Sequence, residues 1–359
     1  MTDRLKAIPR LRVTQAPIDH SAIHPIQLRQ LRLESNLVLA PLAGVSNFPF
    51  RLISREAGAA LSFTETVSAK GLVMGGAKTR RLLETSPREA PVAFQLFGSE
   101  PEILGEACRM LDAEGAAWVD LNVGCPVKKF IKNRAGSSLL RDLPHAGRIV
   151  RAMRKNFSGI LSVKMRTGWD AESIVAPEFA RIAVDEGAEL ISVHGRTRAQ
   201  QYTGRADRSM IRRVVEAVPE VPVLANGDIV TPADVFEMLA DTRAAGVMIG
   251  RGAMGNPWIF EQALSLARGG RARGPTRADR LATIEKHIGW IQRAFTDSRA
   301  LSTNLKKYVS AYSRGLRGSA KFRQRALESN DVDEILELTR NYFAVVKCAP
   351  ALRDEERAA

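Results

Sequence analysis

The chain has 359 residues, too many for one average domain, and suits a barrel-sized domain of about 250 residues plus a smaller one. Hydrophobic residues make up 45% and aromatic residues 6%, which predicts an aliphatic core, and no apolar run approaches the roughly 20 residues that cross a bilayer. The formal net charge of +14 favours a partner that carries phosphate groups.

The N-terminal residues 1–18 are basic and lack the apolar stretch of a signal peptide, which predicts a cytoplasmic protein. The cysteines Cys108, Cys125 and Cys348 stand far apart, without a C-x-x-C pair or a neighbouring histidine. This spacing argues against disulfide bonds and against a metal site.

Along the chain, short runs predict strands, and most of them are apolar without polar alternation, as expected of strands that are buried on both faces. The predicted strands are Leu37–Ala40, Leu61–Thr64, Val92–Leu96, Trp118–Asn122, Leu161–Met165, Leu190–His194, Val223–Asn226 and Gly246–Ile249.

Amphipathic stretches between these runs predict helices, and Thr231-Pro232 has the pattern of an N-cap followed by a first-turn proline. The predicted helices are Glu102–Glu114, Ala146–Asn156, Pro177–Glu186, Arg208–Ala217 and Pro232–Leu239. About eight strand–helix units in one run predict an α/β fold, a TIM-type (β/α)8 barrel, with a doubly wound sheet as the alternative.

Strand after strand ends on a polar or glycine-rich element, and TIM barrels assemble their active sites at these carboxyl ends. The strand-end elements are Pro41-Leu42-Ala43-Gly44, Glu65, Gln95, Asn122, Lys164, His194, Asn226-Gly227-Asp228 and Gly250-Arg251-Gly252. The last two lie where these barrels commonly bind a phosphate group.

Cys125 follows a buried strand between a glycine and a proline, so it does not have the surroundings of a small core residue. An unactivated thiol stays protonated at neutral pH and can donate a proton. Cys108 lies within a predicted helix and fits a buried apolar role. Lys164 could bind an anion, stabilise developing charge or form a Schiff base.

After Pro257 the pattern changes to helices without strands, following a glycine-rich linker near 269–275. Between Arg268 and Arg325 there are 15 lysines or arginines against three acids, which favours a surface for nucleic-acid phosphates. We predict an N-terminal arm at 1–29, a catalytic barrel at 30–265 and a small all-α basic domain at 266–359.

At its strand ends the sequence resembles the tRNA-dihydrouridine synthases, and most closely their bacterial DusB-like branch. The resemblance runs from about Leu37 to the C-terminus and rests on APLAGVSNFPFR, FTETVSAKG, FQLFGSEPE, DLNVGCPVKK with AGSSLL, VKMRTGW, VHGRTR with QYTG, LANGDI and MIGRGAMGNPWIF. In two places it departs from the family pattern: Leu42 stands where methionine is common, and Phe130 where a smaller apolar residue is usual.

The resemblance implies an FMN-dependent enzyme that uses NADPH or NADH to reduce the C5=C6 bond of a D-loop uridine in tRNA. Cys125 would protonate C5 after hydride transfer to C6. Lys164 would approach the N1–C2 edge of the flavin, with His194 nearby. The residues expected to bind FMN are Pro41, Leu42, Ala43, Gln95, Lys164, His194, Asn226, Gly227, Asp228, Gly250 and Arg251.

A uridine in folded tRNA must leave its stack to reach a barrel mouth. Asn122, Arg166 and Arg196 are the candidates to hold the uracil and a nearby phosphate, and Lys306, Lys307 and Arg314 the candidates to hold the tRNA body. The expected partners are tRNA and NAD(P)H, with no membrane and no metal, and the expected state is a monomer.

Three alternatives stay open at this point. One is an FMN-dependent reductase of a free pyrimidine, which would leave the basic helical domain unexplained. Another is a catalytically silent RNA-binding scaffold, which would not need Gln95, Cys125, Lys164 and His194. The last is a Schiff-base aldolase that uses Lys164 and leaves Cys125 unexplained.

Overall fold

The computed structural model describes residues 18–345, and only the backbone at positions 128 and 129. Cys348 and most of the predicted N-terminal arm therefore lie outside the described residues. The strands of the described part are β1 (Ile26–Leu28), β2 (Leu31–Leu33), β3 (Leu37–Leu39), β4 (Leu61–Phe63), β5 (Val67–Ser68), β6 (Val92–Phe97), β7 (Trp118–Val123), β8 (Ile160–Arg166), β9 (Leu190–His194), β10 (Val223–Asn226) and β11 (Gly246–Ile249).

Helices follow most of the strands and then continue without strands. They are α1 (Phe48–Glu56), α2 (Ala69–Val73), α3 (Ala77–Arg81), α4 (Pro101–Ala113), α5 (Lys128–Lys132), α6 (Leu143–Lys155), α7 (Ala176–Asp185), α8 (Arg208–Ala217), α9 (Pro232–Thr242), α10 (Ile259–Ala267), α11 (Arg277–Ala294), α12 (Ser298–Tyr312), α13 (Ser319–Glu328) and α14 (Val332–Val345). Short 3-10 turns lie at Pro87–Glu89, Gly136–Arg141 and Arg251–Ala253.

Eight parallel strands close into a barrel in the order β3, β4, β6, β7, β8, β9, β10 and β11. Closure is made by β11 and β3, where Val247 lies opposite Leu37 and Ile249 opposite Leu39. The predicted TIM barrel and all eight predicted strands are confirmed, and the doubly wound alternative is wrong. Strand β5 adds a short extension beside the carboxyl end of β6.

Helix α9 begins as its sequence predicts. The Thr231 hydroxyl accepts a hydrogen bond from the Asp234 backbone N–H, and the Asp234 carboxylate accepts one from the Thr231 N–H. Pro232 occupies the first turn of the helix, where a backbone N–H would have no partner within the helix, so proline loses nothing there. This reciprocal cap fixes the helix start directly after the loop that leaves β10.

An antiparallel hairpin of β1 and β2 precedes the barrel, and the sequence did not predict it. Ile26 lies opposite Leu33 in the hairpin, and both side chains are buried. They pack with Trp118, Ile160 and Leu190, which begin three barrel strands. The hairpin therefore closes the amino end of the barrel, opposite the strand ends, and its turn spans the predicted domain boundary at residue 30.

Helices α11 to α14 form the helical domain, and α12 lies against the barrel. At this contact the backbone of Gly255, with φ +72°, approaches helix α12 so closely that a Cβ would lie 2.3 Å from the Ala311 carbonyl carbon. The Phe50 ring stacks on Tyr308 at 5.6 Å between centroids. The junction is thus tightly packed. No helix within residues 18–345 is long and apolar enough to span a membrane.

Candidate active site at the barrel mouth

The predicted strand-end residues converge at the carboxyl end of the barrel. In the barrel register Gln95 lies beside Asp120, Asn122 beside Lys164, Lys164 beside Ser192, and His194 beside Asn226. Paired residues, and residues two apart on one strand, point to the same face, so Gln95, Asn122, Lys164, His194 and Asn226 share one face of the sheet. The Asn122 amide nitrogen donates to the Gln95 side-chain oxygen at 2.8 Å, and the Lys164 ammonium donates to the Asn226 side-chain oxygen at 3.1 Å. The fold thus brings together residues from five strands.

Cys125 lies half-buried on the loop after β7, and the loop is held in one position. Its backbone N–H donates to the Asn122 side-chain oxygen at 3.0 Å, and its carbonyl accepts from the Ser137 hydroxyl at 2.9 Å. Gly136 packs against Cys125 with φ +61°, and a Cβ at position 136 would lie 3.3 Å from the Cys125 Cβ. Glycine at 136 therefore lets the thiol loop sit close to the barrel mouth.

Cys108 has the role predicted for it. It is buried among apolar side chains of helix α4, and burial raises the pKa of its thiol to about 12. Such a thiol stays protonated and inert. Neither Cys108 nor Cys125 is in a disulfide.

Lys164 is held with its ammonium at the mouth. The Asn226 amide nitrogen donates to the Met248 carbonyl at 2.7 Å, so its oxygen is left to accept from Lys164. Burial, and then the nearby Arg166 charge, lower the pKa of Lys164 to about 8, while Asp120 and Cys125 favour the charged form. Lys164 is therefore mostly an ammonium at pH 7, and part of it loses its proton in mildly alkaline solution.

His194 is neutral at physiological pH. Burial, followed by the charges of Arg166 and Lys164, holds the pKa of its imidazole well below the ordinary value. The Arg196 guanidinium lies 3.3 Å from His194 Nε2, and arginine can only donate. Nε2 must therefore accept, which places the proton on Nδ1 and makes that atom the ring's donor.

Arg166 and Arg196 are buried and already bound to backbone carbonyls. Arg166 donates to the carbonyls of Gly124 and Thr197, and Arg196 donates to those of Thr203 and Gly204. The two arginines therefore shape the loops around the mouth. Their predicted direct contact with uracil stays a prediction.

The Asp228 carboxylate is also occupied. It accepts from Arg196 at 2.7 Å and lies 3.3 Å from Arg251. The side chain of Asp228 thus holds two arginines in place, so any contact it makes with a bound phosphate comes from its backbone. Neighbouring Gly227 has φ +135°, and a Cβ there would lie 2.5 Å from the Ala206 Cβ.

The loop Pro41-Leu42-Ala43 after β3 forms one wall of the mouth, and two hydrogen bonds to the backbone of the next residue, Gly44, hold it in place. The Glu65 carboxylate accepts from the Gly44 N–H, and the Lys307 ammonium donates to the Gly44 carbonyl at 2.5 Å. Lys307 also donates to Asn304 at 2.8 Å. Sequence reasoning placed Lys307 on the basic surface, whereas the structure places it at the junction between the two domains.

Two residues beside the mouth were not given a role from the sequence. Tyr202, on the loop after β9, is 42% exposed, and the Arg251 guanidinium lies 4.6 Å from its ring centroid. Glu65 was named only as a strand end, and burial raises the pKa of its carboxyl group. The QYTG segment could have indicated a role for Tyr202, because an exposed aromatic side chain in a polar loop often marks a binding surface.

The remaining predicted basic residues lie on the helical domain. Arg314 is exposed, and Lys306 donates to Asn330 at 3.2 Å. Arg317, Lys321 and Arg325 are also exposed and line one cleft between α13 and α14. Within residues 18–345, no carboxylate forms an ion pair with any of these five side chains. We call these five residues the basic face.

Comparison with known proteins shows which family the chain resembles over most of its length. Residues 38–347 match the family model described as dihydrouridine synthase. The chain is 38% identical over 302 residues to a probable tRNA-dihydrouridine synthase of Rickettsia prowazekii, covering 83% of this chain and 91% of the relative. It is 36% identical over 332 residues to tRNA-dihydrouridine synthase B of Xanthomonas axonopodis pv. citri, covering 92% of this chain and 99% of the relative.

Proposed function

The chain belongs to the dihydrouridine synthase family, and from this premise we propose that it reduces a D-loop uridine of tRNA to 5,6-dihydrouridine, using FMN and NADPH or NADH. The observation that carries the proposal is the placement of Cys125. Its loop is tied by hydrogen bonds to Asn122, beside Gln95 and Lys164, where a flat ring could meet a proton donor and a cation together. A Schiff-base aldolase would have no use for this thiol.

The residues of the mouth fit FMN. The apolar loop 41–43 offers a wall for a ring, Gln95 and Asn122 offer amide hydrogens, and Lys164 offers a cation. A phosphate would lie at Gly250-Arg251, where a 3-10 turn begins and a cationic side chain is available. Backbone N–H groups at such a turn favour anions.

The chemistry that FMN would supply here is hydride transfer, with NAD(P)H as the source of the hydride and C6 of the uracil as its acceptor. Lys164 would stabilise negative charge at the N1–C2 edge of the ring. The Cys125 thiol would donate its proton to C5, so that two hydrogens add across the C5=C6 bond and solvent restores the thiol. His194 would donate a hydrogen bond from Nδ1 as a neutral group.

The tRNA would contact both domains. Tyr202 is exposed at the rim of the mouth and could stack on the uridine base after the base has left its stack in the tRNA. The basic face would bind the tRNA body through phosphates, since its lysines and arginines form no ion pair among the described residues, although Glu334 and Glu337 line the same cleft.

The decisive experiment mixes anaerobically reduced protein, freed of excess NADPH, with tRNA that lacks dihydrouridine. The visible absorbance of the flavin is followed. We expect the oxidised spectrum to return without oxygen, and nucleoside mass analysis of the tRNA to show dihydrouridine. A flavin that stays reduced with tRNA but is reoxidised by free pyrimidine would contradict the tRNA substrate. A protein that takes up no flavin would contradict the proposal as a whole.

The basic face gives a separate prediction about binding. Changing Arg314, Arg317 and Lys321 to glutamine should weaken tRNA binding and lower the slope of log affinity against log salt by about 2 to 3, since each phosphate contact contributes roughly 0.7 to 0.9. Binding is measured by filter retention at several salt concentrations. Lys307 is left unchanged, because its contact with Gly44 belongs to the domain junction.

A matched control removes the same charge elsewhere. Arg109, Arg148 and Arg213 are exposed on α4, α6 and α8, along the outside of the barrel. Their triple glutamine variant should keep the wild-type salt slope. Equal losses in both triple variants would show that net charge, and not the basic face, governs tRNA binding.

A further inference from the structure

A chain of hydrogen bonds runs up the inside of the barrel and ends at the mouth. Trp118, Asp120 and Asn122 occupy alternate positions of β7, so all three side chains point inward. Asp120 is fully buried at the centre of the chain. One of its oxygens accepts from the Ser162 hydroxyl at 2.5 Å and the other from the Gln95 amide nitrogen at 2.8 Å.

The lower end of the chain fixes the direction of these bonds. The Trp118 indole N–H can only donate, and it donates to the Ser162 oxygen at 2.8 Å. The single hydroxyl hydrogen of Ser162 is then directed to Asp120. A carboxylate only accepts, so the atom of Gln95 that faces Asp120 must be its nitrogen.

The upper end imposes the same direction independently. The backbone N–H groups of Gly124 and Cys125 point at one atom of the Asn122 amide, at 3.1 and 3.0 Å. That atom must be oxygen, so the Asn122 nitrogen faces Gln95, whose oxygen accepts at 2.8 Å. Neither amide can turn over without setting two donors or two acceptors against each other.

Asp120 is ionised at the pH at which the enzyme is expected to work. Burial raises the pKa of its carboxyl group to about 6, while its hydrogen bonds from Ser162 and Gln95 and the Lys164 charge favour the carboxylate. The direction of the chain therefore holds at pH 7 and above.

We infer that Asp120 is a positioning residue that orients Gln95 to match the orientation that the Gly124 and Cys125 N–H groups give Asn122, so that both amides present N–H, and not C=O, at the barrel mouth. One hydrogen of each amide nitrogen is used within the chain, and the second N–H of Gln95 and of Asn122 remains for a ligand. A ring carbonyl, such as that of uracil, is the acceptor that these N–H groups suit. This inference rests on the proposed function for the identity of that ring.

Substitutions at the two ends of the chain test its direction. In Asp120→Asn, the new amide nitrogen faces either Ser162, whose hydroxyl hydrogen then loses its acceptor, or Gln95, which must then turn over and set its nitrogen against that of Asn122. In Asn122→Asp, a carboxylate faces the Gln95 oxygen. In the double variant Gln95 can turn over, donate to the new carboxylate at 122 and accept from the new amide at 120, so every group is paired again at the same net charge.

We expect each single variant to lower the melting temperature of the full-length protein by several degrees, and the double variant to recover most of that loss. If the two losses simply add, the direction of the chain does not couple these positions and the inference is wrong. This measurement requires no substrate, so it stands even if the proposed function fails.

Ser162→Ala is the matched control for activity. It removes a hydrogen bond to Asp120, but Asp120 still accepts from Gln95, so Asn122 keeps its orientation. At pH 8 we expect Ser162→Ala to lose stability but keep kcat/KM for tRNA within about twofold. We expect Asp120→Asn to lose roughly tenfold or more, because an amide at 120 no longer holds the Gln95 nitrogen toward it, and Gln95 can then turn its C=O toward the substrate carbonyl. Similar activity in the two variants at similar stability would overturn the positioning role.

Discussion

Replacing Cys125 with alanine should abolish most dihydrouridine formation while leaving flavin binding and its reduction by NADPH close to wild type. The thiol is the proposed proton donor to C5, and removing a general acid typically costs 10²- to 10⁴-fold. Its backbone contacts with Asn122 and Ser137 do not depend on the side chain, so the loop should keep its position. Single-turnover reoxidation of the reduced protein by tRNA measures this step directly.

Two controls define what the result means. Cys108→Ala, at the buried cysteine of α4, should leave tRNA reduction within severalfold of wild type, although it removes a packed side chain. A Cys125→Ser variant keeps a hydroxyl of poorer acidity and should fall between wild type and alanine. Loss of bound flavin in Cys125→Ala would contradict the assigned role, because the thiol would then be part of the cofactor site.

Replacing Lys164 with methionine should slow flavin reduction by NADPH by roughly 10²- to 10³-fold, the usual effect of removing one stabilising group from developing negative charge. The Lys164 ammonium is held at the mouth by Asn226, where it can stabilise negative charge on a bound ring. Stopped-flow absorbance at saturating NADPH gives the rate. A Lys164→Met enzyme that is reduced at the wild-type rate would remove the lysine from the mechanism.

The pH dependence of the same step follows from the lowered pKa of Lys164, about 8. The ammonium is present below that pH and is lost above it, so the reduction rate of the wild type should fall as the pH rises through about 8. The Lys164→Met variant should lack this decline. A wild-type rate that is flat from pH 7 to pH 9.5 would contradict the assignment.

Stability provides the control for this variant. The folded pKa of Lys164 lies below its unfolded value of about 10.4, so the unfolded chain binds more protons between these two values and the protein gains stability as pH rises from 8 to 10. Below pH 8 the buried charge opposes folding. At pH 7 we therefore expect the melting temperature of Lys164→Met to lie at most a few degrees below that of the wild type, even though Asn226 loses its hydrogen-bond donor.

The barrel strands were predictable because their signal is local. In β10 the residues Val223–Ala225 are apolar on both faces of the strand, and the polar Asn226 marks its carboxyl end. Since parallel strands of a barrel end at the same edge, the sequence could also place Gln95, Lys164 and His194 together without knowing their distances.

The hairpin at 26–33 was missed because its two strands lie outside the repeating strand–helix pattern, which was the signal for the equally short β3 and β4. Its burial depends on the open amino end of the barrel, which exists only after eight strands have closed. The same limit applies to Lys307, which looks like another surface lysine until helix α12 packs beside Gly44.

The barrel, the helical region after it and the set of polar residues at the mouth follow from local patterns, because strand and helix periodicities extend over short windows of the chain. The partner of each of those polar residues is fixed only by the folded structure. Arg166 and Arg196 bind loop carbonyls, and Asp120 directs Gln95, because strand register brings together residues as far apart as Lys164 and Asn226, which are separated by 62 positions. A hydrogen bond depends on distances of a few tenths of an ångström across the barrel, and no local pattern in the chain encodes them.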